Sequence, residues 1–209
     1  MQMYGEILNS IDANITDVLH QAWPMLLISV VLISSVRIAH LYNKKEKFVL
    51  HKELLLLSFI IYILCLFRIV TYQDITIAGG NNFIPFKEIL RYEFGARLFV
   101  KNIIGNVLLF VPYGFFTALY VDIKKGRSAF FLILLASFAI EFTQLGIGRV
   151  FDVDDIILNV LGGMVGFYIF RILDKISDHL PKVFKSKLVL DILSILVFGV
   201  IIAYVIWRL

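Results

Sequence analysis

Six apolar runs, each close to the length a helix needs to cross the hydrocarbon of a bilayer, divide the chain: about Trp23 to Leu41, Leu54 to Val70, Asn102 to Val121, Ala129 to Ile147, Asp155 to Leu173 and Leu188 to Trp207. Strand-type alternation is absent, which argues against a membrane barrel. The fold class expected is all-α, a polytopic transmembrane helical bundle of six spans. Ahead of it, residues 1–22 place Ile7, Leu8, Ile11, Ile15, Val18 and Leu19 at helical spacing opposite Glu6, Asp12 and Asp17. That pattern predicts an amphipathic helix at the interface, with a frayed terminus as the alternative; with no basic stretch before an apolar run, it is unlike a cleavable signal peptide. Residues 23–209 then form one transmembrane domain.

The polar residues between the runs are not evenly spread. Lys44, Lys45, Lys47 and Lys52 follow the first run, Lys124, Lys125 and Arg127 the third, and Lys175, Lys182, Lys185 and Lys187 the fifth. Alternate loops are thus basic, which assigns them to the cytoplasm and both termini to the outside. Trp23 and Trp207 fall at outer boundaries; Arg97 and Lys101 run against the assignment, in a connection long enough for the rule to weaken. That connection, Thr71 to Lys101, is too long for a plain loop. After Gly79 and Gly80 it carries Phe83, Ile84, Pro85, Phe86, Ile89, Leu90 and Phe94, so a short helix is expected after Pro85, lying on the membrane surface or folded over whatever polar site lies beneath.

Three consecutive runs carry polar groups near one end. The first has Asn102, Gly105 and Asn106, with Phe110, Pro112 and Gly114 deeper; the next has Glu141 and Gln144; the last has Asp155, Asn159, Gly162, Gly163 and Gly166, preceded by Arg149, Asp152 and Asp154. If the three cross a bilayer in alternating directions, those ends meet on the outer side. Glu141 lies roughly 9 Å below the outer end at 1.5 Å per residue. An acidic side chain at membrane depth costs several kcal/mol on any scale, so it should face neighbouring helices or a wet cavity. Capping of the fifth helix accounts for one or two of the aspartates, and pairing with Asp152 is a bland account of Arg149. Gly162 and Gly166 read as helix packing.

Composition reinforces the class: 60% of the 209 residues are apolar and 14% aromatic. The net charge of +4 sits in short loops and marks topology rather than nucleic-acid binding. Cys65, the single cysteine, can make no internal disulfide. His20, His40, His51 and His179 lie away from the polar ends, which leaves no imidazole for a Ser/His pair or a zinc site.

The segments Asn82 to Phe86, Asn102 to Asn106 with Phe110 to Gly114, Glu141 to Gln144, and Arg149 to Asn159 with the glycines after it resemble, in that order, the VanZ family of bacterial membrane proteins. The resemblance covers about residues 60–172. It implies a multi-pass protein of the bacterial cytoplasmic membrane with a cell-envelope role, the family's name coming from a protein associated with low-level resistance to the lipoglycopeptide teicoplanin. The expected partner is a membrane lipid, a lipid-linked cell-wall precursor or the lipid tail of such an antibiotic. Glu141 and Asp155 are the candidates for proton or cation handling, Arg149 for an anionic group, and Asn102, Asn106, Gln144, Asp152, Asp154 and Asn159 for ligand binding. Three alternatives stand beside this: a membrane-embedded hydrolase or transferase acting on a lipid phosphate, with a divalent cation such as Mg²⁺ or Ca²⁺ on the carboxylates; a polar plug that only pins helices; and transport, which the apolar inner halves of the spans disfavour.

Overall fold

Runs of Leu, Ile, Val and Phe without strand alternation give helices throughout. The computed structural model describes residues 2–72, 80–92, 99–179, 181 and 186–208, and their side chains apart from those of 2–19, 72, 100, 101, 178 and 204–208. Among the described residues the long helices are α1 (Gln2–Lys44), α2 (Leu50–Tyr72), α3 (Gly105–Val121), α4 (Gly126–Gly146), α5 (Val153–His179) and α6 (Lys187–Arg208). Among the described residues five stretches are long and apolar enough to cross a membrane: His20–Lys44, Leu50–Thr71, Asn102–Val121, Gly126–Gly146 and Val153–Ser177. The sixth expected span is also a single helix, α6. Gly79, Phe94 and Arg97 lie outside the described residues, as does the side chain of Lys101.

The chain divides into two compact units, Met1–Ile11 with Ile69–Ile176, and Asp12–Arg68 with Ser177–Leu209. In the second, the Arg37 guanidinium meets Glu53 through two hydrogen bonds, of 2.9 and 3.0 Å, tying α1 to α2. His51 gives both its amide and its Nδ1 to Asp191 Oδ1 in the first turns of α6, at 3.0 and 2.7 Å. The amphipathic segment and the first span expected as separate pieces are one continuous helix, with Pro24 inside it.

In the first unit, α3, α4 and α5 enclose a small core of Phe110, Ala118, Ile123, Ala129, Ile133 and Phe167. Many of their other large apolar residues face outward, among them Leu108, Phe131, Leu135, Phe142 and Leu161. In water such a surface would drive aggregation; around a membrane span it meets lipid. Close contact between α3 and α5 depends on glycine. A Cβ at Gly162 would collide with the Val107 carbonyl, one at Gly166 with that of Val111, and one at Gly114 with that of Gly163. The small-residue pattern on α5 is therefore helix packing, as its four-residue spacing indicates.

The short helix expected after Pro85 is found as a turn through residues 84–88 leading into a three-residue 3-10 helix, Ile89–Arg91; residues 93–98 lie outside the described ones. Asp154 holds the turn. Its carboxylate accepts from the amides of Phe86 (2.5 Å), Glu88 (2.7 Å) and Ile89 (3.1 Å), so those donors turn to a side chain from another element. Phe86 is held at φ +66°, a left-handed conformation that costs a non-glycine residue about 1–2 kcal/mol and that a regular helix cannot contain.

Candidate functional site

The site is built at one end of α3, α4 and α5. On α4, Ala129, Ile133, Ser137, Glu141 and Gln144 are buried and recur every three or four residues, so one helix face passes from apolar to polar as it approaches that end. α4 stops there in a Schellman turn. Gly148 takes φ +85°, its amide bonds the Leu145 carbonyl at 3.1 Å, and the Arg149 amide reaches back to the Gln144 carbonyl at 2.9 Å. This turn sets Arg149 directly over Gln144.

With its amide oriented to satisfy both neighbours, Gln144 donates to Glu141 Oε1 at 2.9 Å and accepts from Arg149 Nη1 at 2.6 Å. The same Arg149 nitrogen lies 2.7 Å from the Val70 carbonyl in the last turn of α2. The other oxygen of Glu141 accepts from the Asp152 amide at 3.1 Å. Glu141, 1% exposed, thus has a donor on each oxygen, as a buried carboxylate requires.

Asp152 caps α5, its Oδ1 accepting from the Asp154 amide at 2.9 Å. That oxygen also accepts from Asn82 Nδ2 at 2.8 Å. Asn82 in turn makes a parallel bridge to this strand-like link, giving its amide to the Phe151 carbonyl (2.8 Å) and accepting from the Val153 amide (3.0 Å). Asp155 points toward α3, where Asn106 Nδ2 donates to its Oδ1. It lies within electrostatic reach of Glu141, Asp152 and Arg149. One turn deeper, Asn159 donates to Ser137 Oγ at 3.1 Å, while its Oδ1, buried, accepts from no group among the described residues.

The sequence-predicted residues therefore separate by role. Asn106, Glu141, Gln144, Arg149, Asp152 and Asp155 come together. Asp154, 1% exposed, is consumed by three main-chain amides and shapes the 81–91 segment. Asn102 sits in a π-helical turn, Val100–Ile104, and donates to the Tyr92 hydroxyl at 2.8 Å. Glu141 and Gln144 are buried, while Asp155, Asn106, Asp152 and Arg149 are partly exposed. Among the described residues no three His, Cys, Asp or Glu side chains are grouped so as to hold a metal ion.

Two contributors escaped the sequence reading. Ser137 stands four residues before Glu141 on the same face, a spacing that could have flagged it. Asn82 belongs to a recognised motif, but only its pairing with a segment some seventy residues away gives it a role.

A family model for VanZ/LLP1 matches residues 54–174, more than half of the chain. The protein belongs to the VanZ/LLP1 family. No curated protein and no solved structure matches it. Every residue of the site described above lies inside the matched region. The matched region begins near the start of α2 and ends within α5, and α1 and α6 lie outside it.

Proposed function

We propose that this VanZ/LLP1 protein sits in the bacterial cytoplasmic membrane with six spans, α6 being the sixth, and both termini outside. Its rim of Asp155, Asn106, Asp152 and Arg149 then faces the outer leaflet and binds the head group of a lipid or of a lipid-linked cell-wall precursor. The observation that carries this reading is the pairing of a partly exposed carboxylate, Asp155, with a buried acceptor one turn deeper, Asn159 Oδ1, that has no donor among the described residues. Buried acceptors are rarely left without a donor, so a ligand bringing a hydroxyl or ammonium group would complete the site. Arg149 at the rim suits an anionic phosphate on the same ligand. Glu141 acts from behind, holding Gln144 and the Asp152 amide in place. A role in low-level teicoplanin resistance follows if the bound molecule is the antibiotic's lipid tail or the precursor it attacks.

Native mass spectrometry tests the reading. Protein extracted from membranes, or exchanged into vesicles carrying a lipid-linked disaccharide precursor, should retain a lipid adduct. Asp155→Asn should weaken retention about tenfold, the equivalent of losing roughly 1.4 kcal/mol. Wild-type protein with no adduct under either condition would overturn the proposal.

A further inference from the structure

The 81–91 segment presents Phe83 (69% exposed), Ile84 (62%), Phe86 (53%) and Leu90 (81%) on its open side. A floppy loop would fold such residues under, but this one is held. Asp154 grips three of its amides, Asn82 bridges it to the α4–α5 link, and Asn82 Oδ1 accepts from the Ile84 amide at 3.1 Å. Phe86 itself is held in the left-handed region, at φ +66°.

What that face meets follows from its continuity with a span. Phe138 and Phe142 stand on the outward surface of α4, their rings 6.4 Å apart. Phe142 contacts Phe151 at 6.3 Å, and Phe151 stacks on Phe83 at 5.4 Å. An unbroken aromatic file therefore runs from the membrane-facing side of α4 to the tip of the segment. Lys87 and Arg91 project from the same few residues, Arg91 ion-paired with Glu88 at 3.1 Å. Apolar side chains beside long basic ones are what an interfacial segment needs, with stems and rings in the acyl region and cations among the phosphates.

We infer that the 81–91 segment is a wedge inserted into the leaflet on the site's side, carrying Phe83, Ile84, Phe86 and Leu90 to the boundary between head groups and acyl chains. The wedge lies beside the rim, so the rim sits at head-group depth with lipid along one flank. The inference concerns the segment's depth and stands whether or not the rim binds a ligand.

Fluorescence quenching decides it without any ligand. In a background with Trp23→Phe and Trp207→Phe, Leu90→Trp supplies the only indole, and the protein is reconstituted in phosphatidylcholine vesicles. Lipids brominated near the top of the acyl chain should lower its emission roughly twofold, as expected for a side chain buried 5–10 Å into the boundary, while aqueous iodide should have little effect. Iodide quenching without bromolipid quenching would place the segment in water and overturn the inference. Quenching by neither would show that protein covers it, and overturns it equally. Should Leu90→Trp not fold, Ile84→Cys with Cys65→Ser carries a nitroxide. Greater collision with oxygen than with a nickel chelate supports the wedge, and the reverse removes it.

Discussion

Asp154 and Asp155 are neighbours in sequence with opposite assignments. Asp154 turns to the 81–91 segment and gives both oxygens to main-chain amides, whereas Asp155 turns to Asn106 and remains partly open. Asp154→Asn replaces one acceptor with a donor facing amides. It should lower stability by about 1–3 kcal/mol per amide left buried and unpaired, read as a fall in the detergent melting temperature, and should expose residues 81–91 to protease. Asp155→Asn should leave melting and proteolysis nearly unchanged while lipid retention drops. Asp152, ahead of α5 and outside the span, supplies a pH signature. Burial pushes its carboxyl above the ordinary 3.8, with the charges of Asp154 and Glu88 adding to the rise, against hydrogen bonds from the Asp154 amide and Asn82. The folded state therefore holds this proton more tightly than the unfolded chain. Its contribution to stability is full below 3.8 and is lost as pH rises through the elevated value. Melting temperatures of wild type and Asp152→Asn measured across that window should diverge as pH increases, the variant being the flatter of the two.

At the scale of elements, α3 and α5 approach until main chain meets main chain, and glycines fix that distance. Gly162→Leu drives a side chain into the Val107 carbonyl and should cost about 1–3 kcal/mol or more, separating Asn106 from Asp155 as the helices part. Gly199 on α6 has nothing among the described residues within 4 Å of its missing Cβ, so Gly199→Ala should raise stability by about 0.5–1 kcal/mol. Opposite shifts in melting temperature for these two glycines would confirm that the first packs and the second does not. The Schellman turn at Gly148 has a parallel role: it converts the end of α4 into the placement of Arg149 over Gln144.

For the whole molecule, topology is the prediction that matters most, because it decides which leaflet the carboxylates face. In a Cys65→Ser background, Gly80→Cys, at an exposed position ahead of the wedge, should react with a membrane-impermeant maleimide in intact cells. Lys125→Cys, in the basic link between α3 and α4, should react only after permeabilisation. The reverse pattern would put the rim in the cytoplasm and remove any direct contact with a drug or precursor outside.

Hydrophobic run length alone gave the five spans and α6, since a helix that satisfies its own backbone is the structure a long apolar run adopts at membrane depth. Alternating direction brought Asn106, Glu141 and Asp155 to one end, and small-residue spacing foretold the glycine contact. These features were legible because helical period and bilayer thickness are local constraints. The division of labour among the acidic residues was not, because it depends on which direction each side chain takes from the start of α5 and on what the chain has placed there. The tertiary structure alone sent Asp154 to the 81–91 segment, held Phe86 at a positive φ, paired Asn82 with Asp152 and left Asn159 Oδ1 without a donor among the described residues. Each follows from contacts between groups tens of residues apart, for which a linear pattern carries no period.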